Sequence, residues 1–238
     1  MKYAVLSDIH SNWEALETAL EYLAKEKIGE YWVLGDSIGY GADPNKCFCW
    51  VLENARVALM GNHEQAAVDP QLREYFNGYA RTAIEWTADV LKEEYKKKIA
   101  GLRYLHITPS VTLAHGSPNE PKEFRYLLSS EEAHASFRVL ETPICFVGHT
   151  HIPSRFTASS EEGEYLPPGR YPLKKKERYI LNPGSVGQPR DQDPRLSFGI
   201  FDDEDWAFEI VRLKYDNEKA AAKIRKAGLP AYLADRLL

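Results

Sequence analysis

Five short segments of this 238-residue chain each place a metal-binding side chain directly after an apolar, strand-like run. Together they contain five of the seven histidines, two aspartates and one asparagine. The segments are Ser7-Asp8-Ile9-His10, Gly35-Asp36, Gly61-Asn62-His63-Glu64, His115-Gly116 and Gly148-His149-Thr150-His151. Imidazole, carboxylate and amide oxygen are ligands that manganese, iron, cobalt, nickel and zinc accept. A set of this size exceeds the needs of one tetrahedral ion and suits two ions that share a carboxylate, an arrangement that favours attack on a phosphorus ester.

The order of the apolar runs predicts how these segments meet. Strands are predicted at Lys2 to Leu6, Tyr31 to Leu34 and Arg56 to Met60, with amphipathic helices between them. Alternation of strand and helix implies parallel strands, whose carboxyl ends meet at the sheet edge where ligands bind. We therefore expect the first three segments to lie side by side, although they are far apart in sequence.

The spacing within two of the segments predicts side-chain direction. Asp8 and His10 are two residues apart, as are His149 and His151. In an extended chain, residues two apart point to the same side. We therefore expect each pair to face the centre from an extended backbone.

The rest of the chain is predicted to belong to the same domain. Residues 66 to about 100 are amphipathic, which favours a helical insertion beside the site, and residues 216–238 favour a helical tail. Residues 155–179 are rich in glutamate, proline and glycine, which favours an exposed hairpin or loop. Further strands are predicted at Ser110 to Ala114, Pro143 to Val147, Tyr179 to Leu181, Leu196 to Phe201 and Trp206 to Leu213. No repeat or linker divides the sequence, so 1–238 is predicted to be one α/β domain.

Composition limits the classes of function. A formal net charge of −5 disfavours a general nucleic-acid binder, because counterion release needs a basic surface. No apolar stretch approaches the roughly 20 residues that span a bilayer. Strand-like sequence begins within two residues of the start, which leaves no room for a signal peptide, and three cysteines make no disulfide framework. We expect a cytoplasmic protein that acts on a small molecule; the sequence does not determine its oligomeric state.

The ordered set of segments resembles the calcineurin-like metallophosphoesterase superfamily. The matching residues are Asp8-x-His10, Gly35-Asp36, Gly61-Asn62-His63-Glu64, His115 and Gly148-His149-x-His151, which span most of the chain. The segment from Asn182 to Arg190, NPGSVGQPR, also resembles the small bacterial and archaeal branch of that superfamily. That branch includes YfcE-like phosphodiesterases and diadenosine-tetraphosphatase-related proteins. The resemblance implies a four-layer αββα sandwich, with two mixed β-sheets face to face and helices outside.

The resemblance also implies a ligand set for two divalent ions that share Asp36. One ion would be held by Asp8, His10, Asp36 and His151, and the other by Asp36, Asn62, His115 and His149. Manganese is the first expectation for the metal, with iron, nickel, cobalt or zinc as alternatives. A hydroxide that bridges the ions would attack a phosphate ester in line, and phosphodiesters or nucleotide-like molecules are the substrates expected first.

His63 is predicted to be the catalytic residue. Next to Asn62, a protonated imidazole would stabilise the charged transition state or protonate the leaving oxygen, and both side chains would contact the substrate. A structural alternative is a hydrogen bond between His63 and Glu64. His106 and His134 match no segment and are expected to be ordinary surface or core residues.

Arg190 is a candidate ligand for the substrate phosphate. A guanidinium group matches the geometry of phosphate oxygens and forms paired hydrogen bonds with them. Two acidic neighbours, Asp191 and Asp193, offer a structural alternative in which Arg190 forms an ion pair instead. The sequence leaves both interpretations open.

One departure from the superfamily narrows the expected function. After the glycine and aspartate of the second segment, protein phosphatases of this superfamily carry an acidic residue, an arginine and a glycine; this chain has Ser37-Ile38-Gly39-Tyr40-Gly41. The difference disfavours a dedicated phosphoprotein phosphatase and symmetrical cleavage of diadenosine tetraphosphate. A phosphoric ester hydrolase is the expected function. The alternatives are a phosphomonoesterase or dinucleoside polyphosphate hydrolase, a nuclease, and a metal-binding regulatory module without turnover.

Overall fold

Twelve strands form two mixed sheets of six strands each. The computed structural model describes residues 1–238. In chain order the strands are β1 Lys2–Leu6, β2 Ile28–Val33, β3 Ala55–Ala58, β4 Leu105–Ile107, β5 Val111–Ala114, β6 Ile144–Phe146, β7 Pro153–Thr157, β8 Glu164–Tyr165, β9 Gly169–Pro172, β10 Tyr179–Pro183, β11 Leu196–Asp202 and β12 Ala207–Leu213. The first sheet has the order β3-β2-β1-β11-β12-β9 and the second β4-β5-β6-β10-β7-β8.

Parallel pairing is confined to the strands that carry the metal-binding segments and their neighbours. In the first sheet, β1 is parallel to β2, and β2 is parallel to β3. In the second sheet, β6 is parallel to both β5 and β10. The other pairings are antiparallel. Crossover helices make parallel strands end at one edge, so the segments that follow β1, β2 and β3 emerge together, as the alternation predicted.

Eight α-helices lie mainly outside the two sheets. They are α1 Trp13–Leu23, α2 Pro44–Asn54, α3 Asn62–Val68, α4 Gly78–Val90, α5 Glu93–Ile99, α6 Ser130–Val139, α7 Asn217–Lys226 and α8 Ala231–Asp235, with short 3₁₀ helices at Pro70–Tyr75 and Pro121–Glu123. None of them is long and apolar enough to cross a membrane. Asn12 begins α1 by accepting a hydrogen bond from the backbone of Ala15, and Pro44 occupies the tolerated first turn of α2.

Three apolar layers hold the sandwich together. Side chains from both sheets, among them Val5, Phe146 and Phe201, form the core between the sheets. The outer face of the first sheet packs on α1 and α2, and the outer face of the second packs on α6 through Phe137. Strands such as β10 and β11 are buried at every residue, as expected for a four-layer αββα sandwich in which both faces of each sheet are covered. The predicted fold class is confirmed.

A helical block closes one side of the sandwich. Helices α3, α4 and α5 surround a separate apolar cluster that includes Phe48, Ile84 and Ile99. Helix α4 also contacts α7 and α8 through Ala83, in a cluster that includes Ile224 and Leu233. Because α3 begins at Asn62, this block continues directly from the third metal-binding segment.

Residues 155–179 differ from the expectation of an exposed hairpin or loop. The segment contributes to both sheets, since β7 pairs with β10 in the second sheet while β9 pairs with β12 at the edge of the first. Phe156, Leu166 and Leu173 are buried, and they supply apolar anchors between the exposed turns. The polar composition therefore reflects the turns and not the strands they connect.

Candidate metal centre

The metal-binding segments converge where the two sheets meet. Asp8 and Asp36 follow β1 and β2 of the first sheet, whereas His115 and His149 follow β5 and β6 of the second. The His115 Nδ1 atom lies 3.1 Å from the backbone oxygen of Leu34, so this ring joins the strand ends of the two sheets. All seven predicted ligand residues lie in this one place, and six of them are buried.

One cluster of ligand atoms is formed by Asp8, His10 and His151. The His151 Nε2 atom lies 3.1 Å from Asp8 Oδ1 and 3.1 Å from His10 Nε2. Asp8 Oδ2 is held by the Ser7 hydroxyl at 2.6 Å and by the backbone amide of His149 at 3.0 Å. Because those bonds occupy Oδ2, the other oxygen of Asp8 points into the cluster, where it has no hydrogen-bond partner.

A second cluster is formed by Asp36, His115 and His149, with Asn62 beside it. The His115 Nε2 atom lies 3.3 Å from Asp36 Oδ2, 3.2 Å from Asn62 Oδ1 and 3.1 Å from His149 Nδ1. Four donor atoms of three chemical types therefore converge within hydrogen-bond distance. Carboxylate, amide oxygen and imidazole nitrogen together suit a borderline divalent ion.

Asp36 belongs to both clusters. Its Oδ2 atom lies 3.3 Å from His115 Nε2 and 3.7 Å from His10 Nε2, while Oδ1 accepts a hydrogen bond of 2.9 Å from the backbone amide of His63. One oxygen is fixed by the backbone, which leaves the other to face both groups of ligands. This is the position that a bridging carboxylate requires.

The Nε2 atoms of His10 and His151 face each other, and their protonation state shows whether these residues can bind a cation. The Nδ1 atom of His10 lies 3.1 Å from the backbone oxygen of Ile38. The Nδ1 atom of His151 lies 2.5 Å from the backbone oxygen of Gln188. A carbonyl only accepts, so Nδ1 carries the proton in both rings and each Nε2 presents a lone pair. Two lone pairs 3.1 Å apart repel each other, and a metal ion between them would convert that repulsion into coordination. The donor set fits a divalent cation.

The electrostatics of the centre agree with this interpretation. Burial lowers the pKa of His10 and of His151, so both rings are neutral and can ligate through nitrogen near pH 7. Burial would also lower the pKa of His115, but the charge and hydrogen bond of Asp36 outweigh it and raise that pKa to about 9. In the other direction, burial would raise the pKa of Asp36, yet His115 and His63 hold it well below its ordinary value. The two carboxylates therefore favour positive charge in the space between the clusters.

The backbone around the ligands is left-handed, which corrects the expectation of an extended chain. Asp8 and His10 have φ angles of 53° and 48°, and His149 and His151 have 65° and 63°. Asp36 has a φ angle of 52°. L-residues adopt this region at a cost of roughly 1 kcal/mol or more, and such strain concentrates at functional sites. Each pair faces the centre because the chain turns tightly, not because it alternates along a strand.

The segment from Asn182 to Arg190 holds these strained turns. Asn182 donates to the Gly148 oxygen at 2.8 Å and to the Thr150 hydroxyl at 3.0 Å, which fixes the turn before His151. The Ser185 hydroxyl donates to the backbone oxygen of Asp8 at 2.8 Å, and the backbone amide of Gly187 donates to the same oxygen at 2.9 Å. These buried hydrogen bonds offset the strain and orient ligands from both sheets.

His63 lies beside the first cluster and is surrounded by aromatic side chains. A ring nitrogen of His63, a ring nitrogen of His10 and a carboxylate oxygen of Asp36 all lie within 4.8 Å of one another. The imidazole ring contacts the rings of Tyr40 and Phe76, with centroid distances of 4.4 and 5.0 Å. Burial lowers the pKa of His63 to about 4, so the ring is neutral near pH 7 until a negative group approaches it. Its buried Nδ1 atom has no hydrogen-bond partner.

Glu64 does not bond to His63, which removes the structural alternative considered for that histidine. The Glu64 carboxylate accepts from the backbone amides of Asp36, Ser37 and Gly61, at 2.8, 2.6 and 3.1 Å. Burial and the nearby Asp36 charge raise the pKa of Glu64 to about 7. Glu64 therefore ties the second and third segments together, and His63 remains free to face the centre.

Arg190 pairs with neither of its acidic neighbours. Asp191 pairs with the buried Arg212, and Asp193 pairs with Arg195 at 2.6 Å. The Arg190 guanidinium lies 6.0 Å from the centroid of the Tyr40 ring and donates to Gln188 Oε1 at 3.3 Å. Its Nε atom is buried without a partner, and its charge helps to lower the pKa of His63 and His151, after the larger effect of burial. A guanidinium that keeps spare donors beside the centre is available to an anion.

Comparison with known proteins identifies the family. The family model for the calcineurin-like phosphoesterase superfamily domain matches residues 1–205. The chain belongs to the calcineurin-like phosphoesterase superfamily. The predicted resemblance to this superfamily is confirmed, and divalent metal binding is a property that membership implies.

Several relatives match this superfamily member along almost its whole length. It is 38% identical over 244 residues to the uncharacterised protein MJ0912 of Methanocaldococcus jannaschii, covering 98% of this chain and 96% of the relative. It is 35% identical to a metallophosphoesterase from Sphaerobacter thermophilus, whose crystal structure superimposes with a TM-score of 0.90 over 100% of this chain and 98% of the other. The hypothetical protein PH1004 from Pyrococcus horikoshii OT3, at 20% identity, shares the fold with a TM-score of 0.80 over 99% and 97% of the two chains.

The departure from the superfamily's protein phosphatases has a clear geometric consequence. At Gly39 the φ angle is +86°, and a Cβ atom there would lie 2.2 Å from His63 Nδ1. The His63 ring therefore occupies the space that an acidic side chain would fill. Tyr40 follows, and its ring lies against His10 at 4.6 Å and against His63 at 4.4 Å. The arginine that phosphatases carry at this position is absent, whereas Arg190 reaches Tyr40 from another loop.

A cleft of about 630 Å³ opens beside the second cluster. Its wall includes two of the predicted metal-centre residues, Asn62 and His149. Its other lining residues are Tyr40, Gln65, Leu72, Tyr75, Phe76, Asn77, Ala80, Lys122, Glu123, Phe124 and Tyr126. Most of these residues lie on α3, on α4 or in the two 3₁₀ helices and the residues that follow them, where no sequence motif pointed to function. The only available signal was the aromatic content of those segments, which resembles that of any packing helix.

Proposed function

We propose that this protein is a two-metal hydrolase of phosphate esters. The observation that carries the proposal is the pair of ligand clusters joined by Asp36, whose Oδ2 atom faces both His10 and His115. When bound, two divalent ions would supply an activated water nucleophile and neutralise charge on the phosphate oxygens. Manganese is the first metal to test, and iron, nickel, cobalt and zinc are the alternatives.

The chain's own ligands divide into two groups. The first group is Asp8, His10, Asp36 and His151, and the second is Asp36, Asn62, His115 and His149. Hydrogen bonds to the backbone fix five of these side chains: Asp8 and Asp36 through one carboxylate oxygen each, and His10, His115 and His151 through Nδ1. Such fixation holds the donor atoms in place before any ligand arrives, which is the preorganisation that catalysis needs.

His63 is proposed to donate a hydrogen bond to the reacting phosphate or to the leaving oxygen. The ring is close to the Asp36 carboxylate, is neutral near pH 7 and has a buried nitrogen without a partner. A phosphate placed beside it would favour the protonated form by raising its pKa. The imidazole can then act as a general acid when the ester bond breaks.

Arg190 is proposed to bind the non-bridging oxygens of the substrate phosphate. Its freedom from Asp191 and Asp193, together with its position against Tyr40, supports that role. Diesters are the first substrates to test, since the cleft beside Asn62 and His149 leaves room for a second ester substituent. All three cysteines are free, in keeping with the proposed cytoplasmic location.

A direct test compares Asp36→Asn with Asp89→Asn. Wild-type protein with manganese is expected to hydrolyse bis(p-nitrophenyl) phosphate or p-nitrophenyl phosphate, and the Asp36 variant is expected to lose this activity because it lacks the shared ligand charge. Asp89 is exposed on α4 and forms no ion pair, so the same chemical change there serves as the control. Activity that survives both Asp36→Asn and chelation would contradict the mechanism. A metal-loaded protein that is inert with every phosphoester would instead support a regulatory module.

A further inference from the structure

The wall of the cleft beside the metal centre carries several aromatic side chains. Five of its lining residues are aromatic: Tyr40, Tyr75, Phe76, Phe124 and Tyr126. Its volume of about 630 Å³ lies in the range of sites that enclose a whole small molecule. A phosphate group with a small alkyl substituent would leave most of that volume unfilled. The cleft is therefore built for a larger group attached to the phosphate.

Each of three aromatic rings contacts a histidine of the centre. Phe76 meets His63 edge to face at 5.0 Å, and Phe124 meets His115 edge to face at 5.8 Å. Tyr126 stacks on His149, with the ring centroids 4.0 Å apart and the planes 19° apart. The aromatic surface is thus continuous with the proposed metal ligands. A group linked to the phosphate by a few bonds would reach it without moving any strand.

Tyr126 offers an open stacking face. One face of its ring covers His149, and the side chain is 43% exposed overall. Phe124, two residues earlier, has a φ angle of +46°, which is rare for an aromatic residue and directs this short segment at the centre. A nucleobase of any kind can stack on an exposed tyrosine ring, because every base has a planar π face.

The polar residues of the cleft complement a heteroaromatic ring. Gln65 provides an amide donor and an amide acceptor, and Asn77 provides the NH₂ group of an amide whose oxygen caps α4 through the Ala80 amide at 3.1 Å. Lys122 and Glu123 add one positive and one negative charge. An entirely apolar ligand would use none of these polar groups, whereas the edge of a nucleobase presents both donors and acceptors to them. The composition of the wall therefore favours a base over an acyl chain.

We propose that this cleft binds the nucleobase of a nucleotide ester, with Tyr126 as the principal stacking residue. The proposal rests on the proposed phosphoester chemistry, since the base would be held while the attached phosphate reaches the metal centre. It assigns specificity to residues 65–80 and 122–126, which no sequence motif marks. The substrate class is then a nucleotide phosphodiester.

Two esters that differ only in the base test the proposal. The methyl esters of adenosine 5′-monophosphate and of ribose 5-phosphate share the phosphate, the sugar and a leaving group that does not stack. Base stacking contributes enough in other proteins that the adenosine ester is expected to have a kcat/KM on the order of tenfold higher or more. Equal kcat/KM values for the two esters in the wild-type protein would overturn the proposal.

Substitution of Tyr126 localises the effect. Tyr126→Ala is expected to bring the ratio of the two kcat/KM values close to one. The ratio is taken within each variant, so that any disturbance of His149 affects both esters alike. Tyr232→Ala is the matched control, because Tyr232 is 46% exposed, stacks on Tyr79 at 4.8 Å and lies outside the cleft. A ratio that falls equally in both variants would contradict the assignment to Tyr126.

Equilibrium binding separates this proposal from the proposed function. Calorimetry on the manganese-loaded protein compares adenosine 5′-monophosphate with ribose 5-phosphate, and needs no turnover. Tighter binding of the adenosine compound by about tenfold, lost in Tyr126→Ala, supports the cleft assignment even if no ester is hydrolysed. Equal affinities together with rapid hydrolysis of both esters would sustain the hydrolase and exclude the base-binding cleft.

Discussion

His10 and His151 direct their Nε2 atoms toward each other across 3.1 Å, while each Nδ1 faces a backbone oxygen. Because neither neutral ring has a second proton to share, the pair is destabilising until a cation lies between the nitrogens. We therefore expect manganese to stabilise the fold. At a metal concentration of 100 times Kd the gain is about 2.7 kcal/mol, or roughly 5 to 10 °C in Tm for a chain of this size. Differential scanning calorimetry with and without chelator measures it.

The matched variants for this measurement are His151→Ala and His134→Ala. His134 lies on α6 and places Nδ1 2.7 Å from the Ser130 oxygen of its own helix, and it belongs to neither ligand cluster. The increase in Tm should be smaller in His151→Ala, which leaves only the second ligand group intact, and should persist in full in His134→Ala. An identical Tm for chelated and manganese-treated wild-type protein would rule out the paired-cation interpretation.

Gly39→Ala is expected to impair activity by displacing His63. A Cβ atom at Gly39 would lie 2.2 Å from His63 Nδ1, so the ring must move. Gly228→Ala is the control, because Gly228 also has a left-handed φ of +73°, but a Cβ atom there would meet nothing within 4 Å. Both substitutions should cost about 1 kcal/mol in unfolding free energy for the strained backbone. Only Gly39→Ala should lower kcat, by on the order of 100-fold if His63 acts as a general acid; an equal kcat in both variants would exclude that role.

Arg190→Ala is expected to weaken substrate binding and turnover together. A hydrogen bond to a charged group contributes about 2 kcal/mol, which corresponds to a loss of roughly 30-fold in kcat/KM. Arg195→Ala removes an arginine from the same loop, but one that pairs with Asp193 at 2.6 Å. Steady-state kinetics with a diester should show the loss for Arg190→Ala and little change for Arg195→Ala. Comparable losses of kcat/KM in the two variants would indicate that the conformation of the loop, and not the charge of Arg190, supports substrate binding.

Much of the centre could be predicted from sequence because its ligands have distinctive types and follow strands. Asp8, Asp36 and His115 each lie one to three residues after a strand whose last two residues are buried, and parallel strands deliver their carboxyl ends to one edge. The approach of Asp8 to Asp36 therefore follows from topology, whereas His115 reaches them from the second sheet because the two sheets pack face to face. The left-handed turns at Asp8 and His149 could not be predicted, since hydrogen bonds from residues more than 140 positions away hold them.

Some elements escaped prediction for physical reasons that differ from one another. Helix α6 presents only Ala133, Ser136 and Phe137 to the core, so its apolar period is weak. Its Ser129 and Glu132 nevertheless form a capping box, which was the available local signal. Whether Arg190 would pair with Asp191 could not be predicted, because the partner of Asp191 is Arg212, 21 positions away in sequence. Such competition between partners is decided only in three dimensions.

The helical tail is expected to be attached to α1 and to the residue before α2 by a pH-dependent ion pair. Lys223 on α7 lies 2.6 Å from Glu14 on α1 and 2.6 Å from Asp43 before α2. Burial would raise the pKa of Glu14, but Lys223 lowers it below the ordinary 4.5. Burial would lower the pKa of Lys223, but Asp43 and Glu14 raise it above 10.5. The pair therefore stabilises the fold fully between those two values, and the stabilisation is lost as pH falls below about 4.5 or rises above about 10.5.

Glu14→Gln tests this window against Glu17→Gln, an exposed change on the same helix. At pH 7 the Glu14 variant is expected to lose on the order of 1 kcal/mol, because Lys223 is 32% exposed and solvent screens part of the attraction. That corresponds to a decrease in Tm of about 2 to 4 °C. Thermal unfolding followed from pH 7 down to pH 3 should show the difference from wild type shrinking as Glu14 becomes protonated in the wild-type protein. A difference that stays constant over that range would mean that Glu14 stabilises α1 by packing and not by its charge.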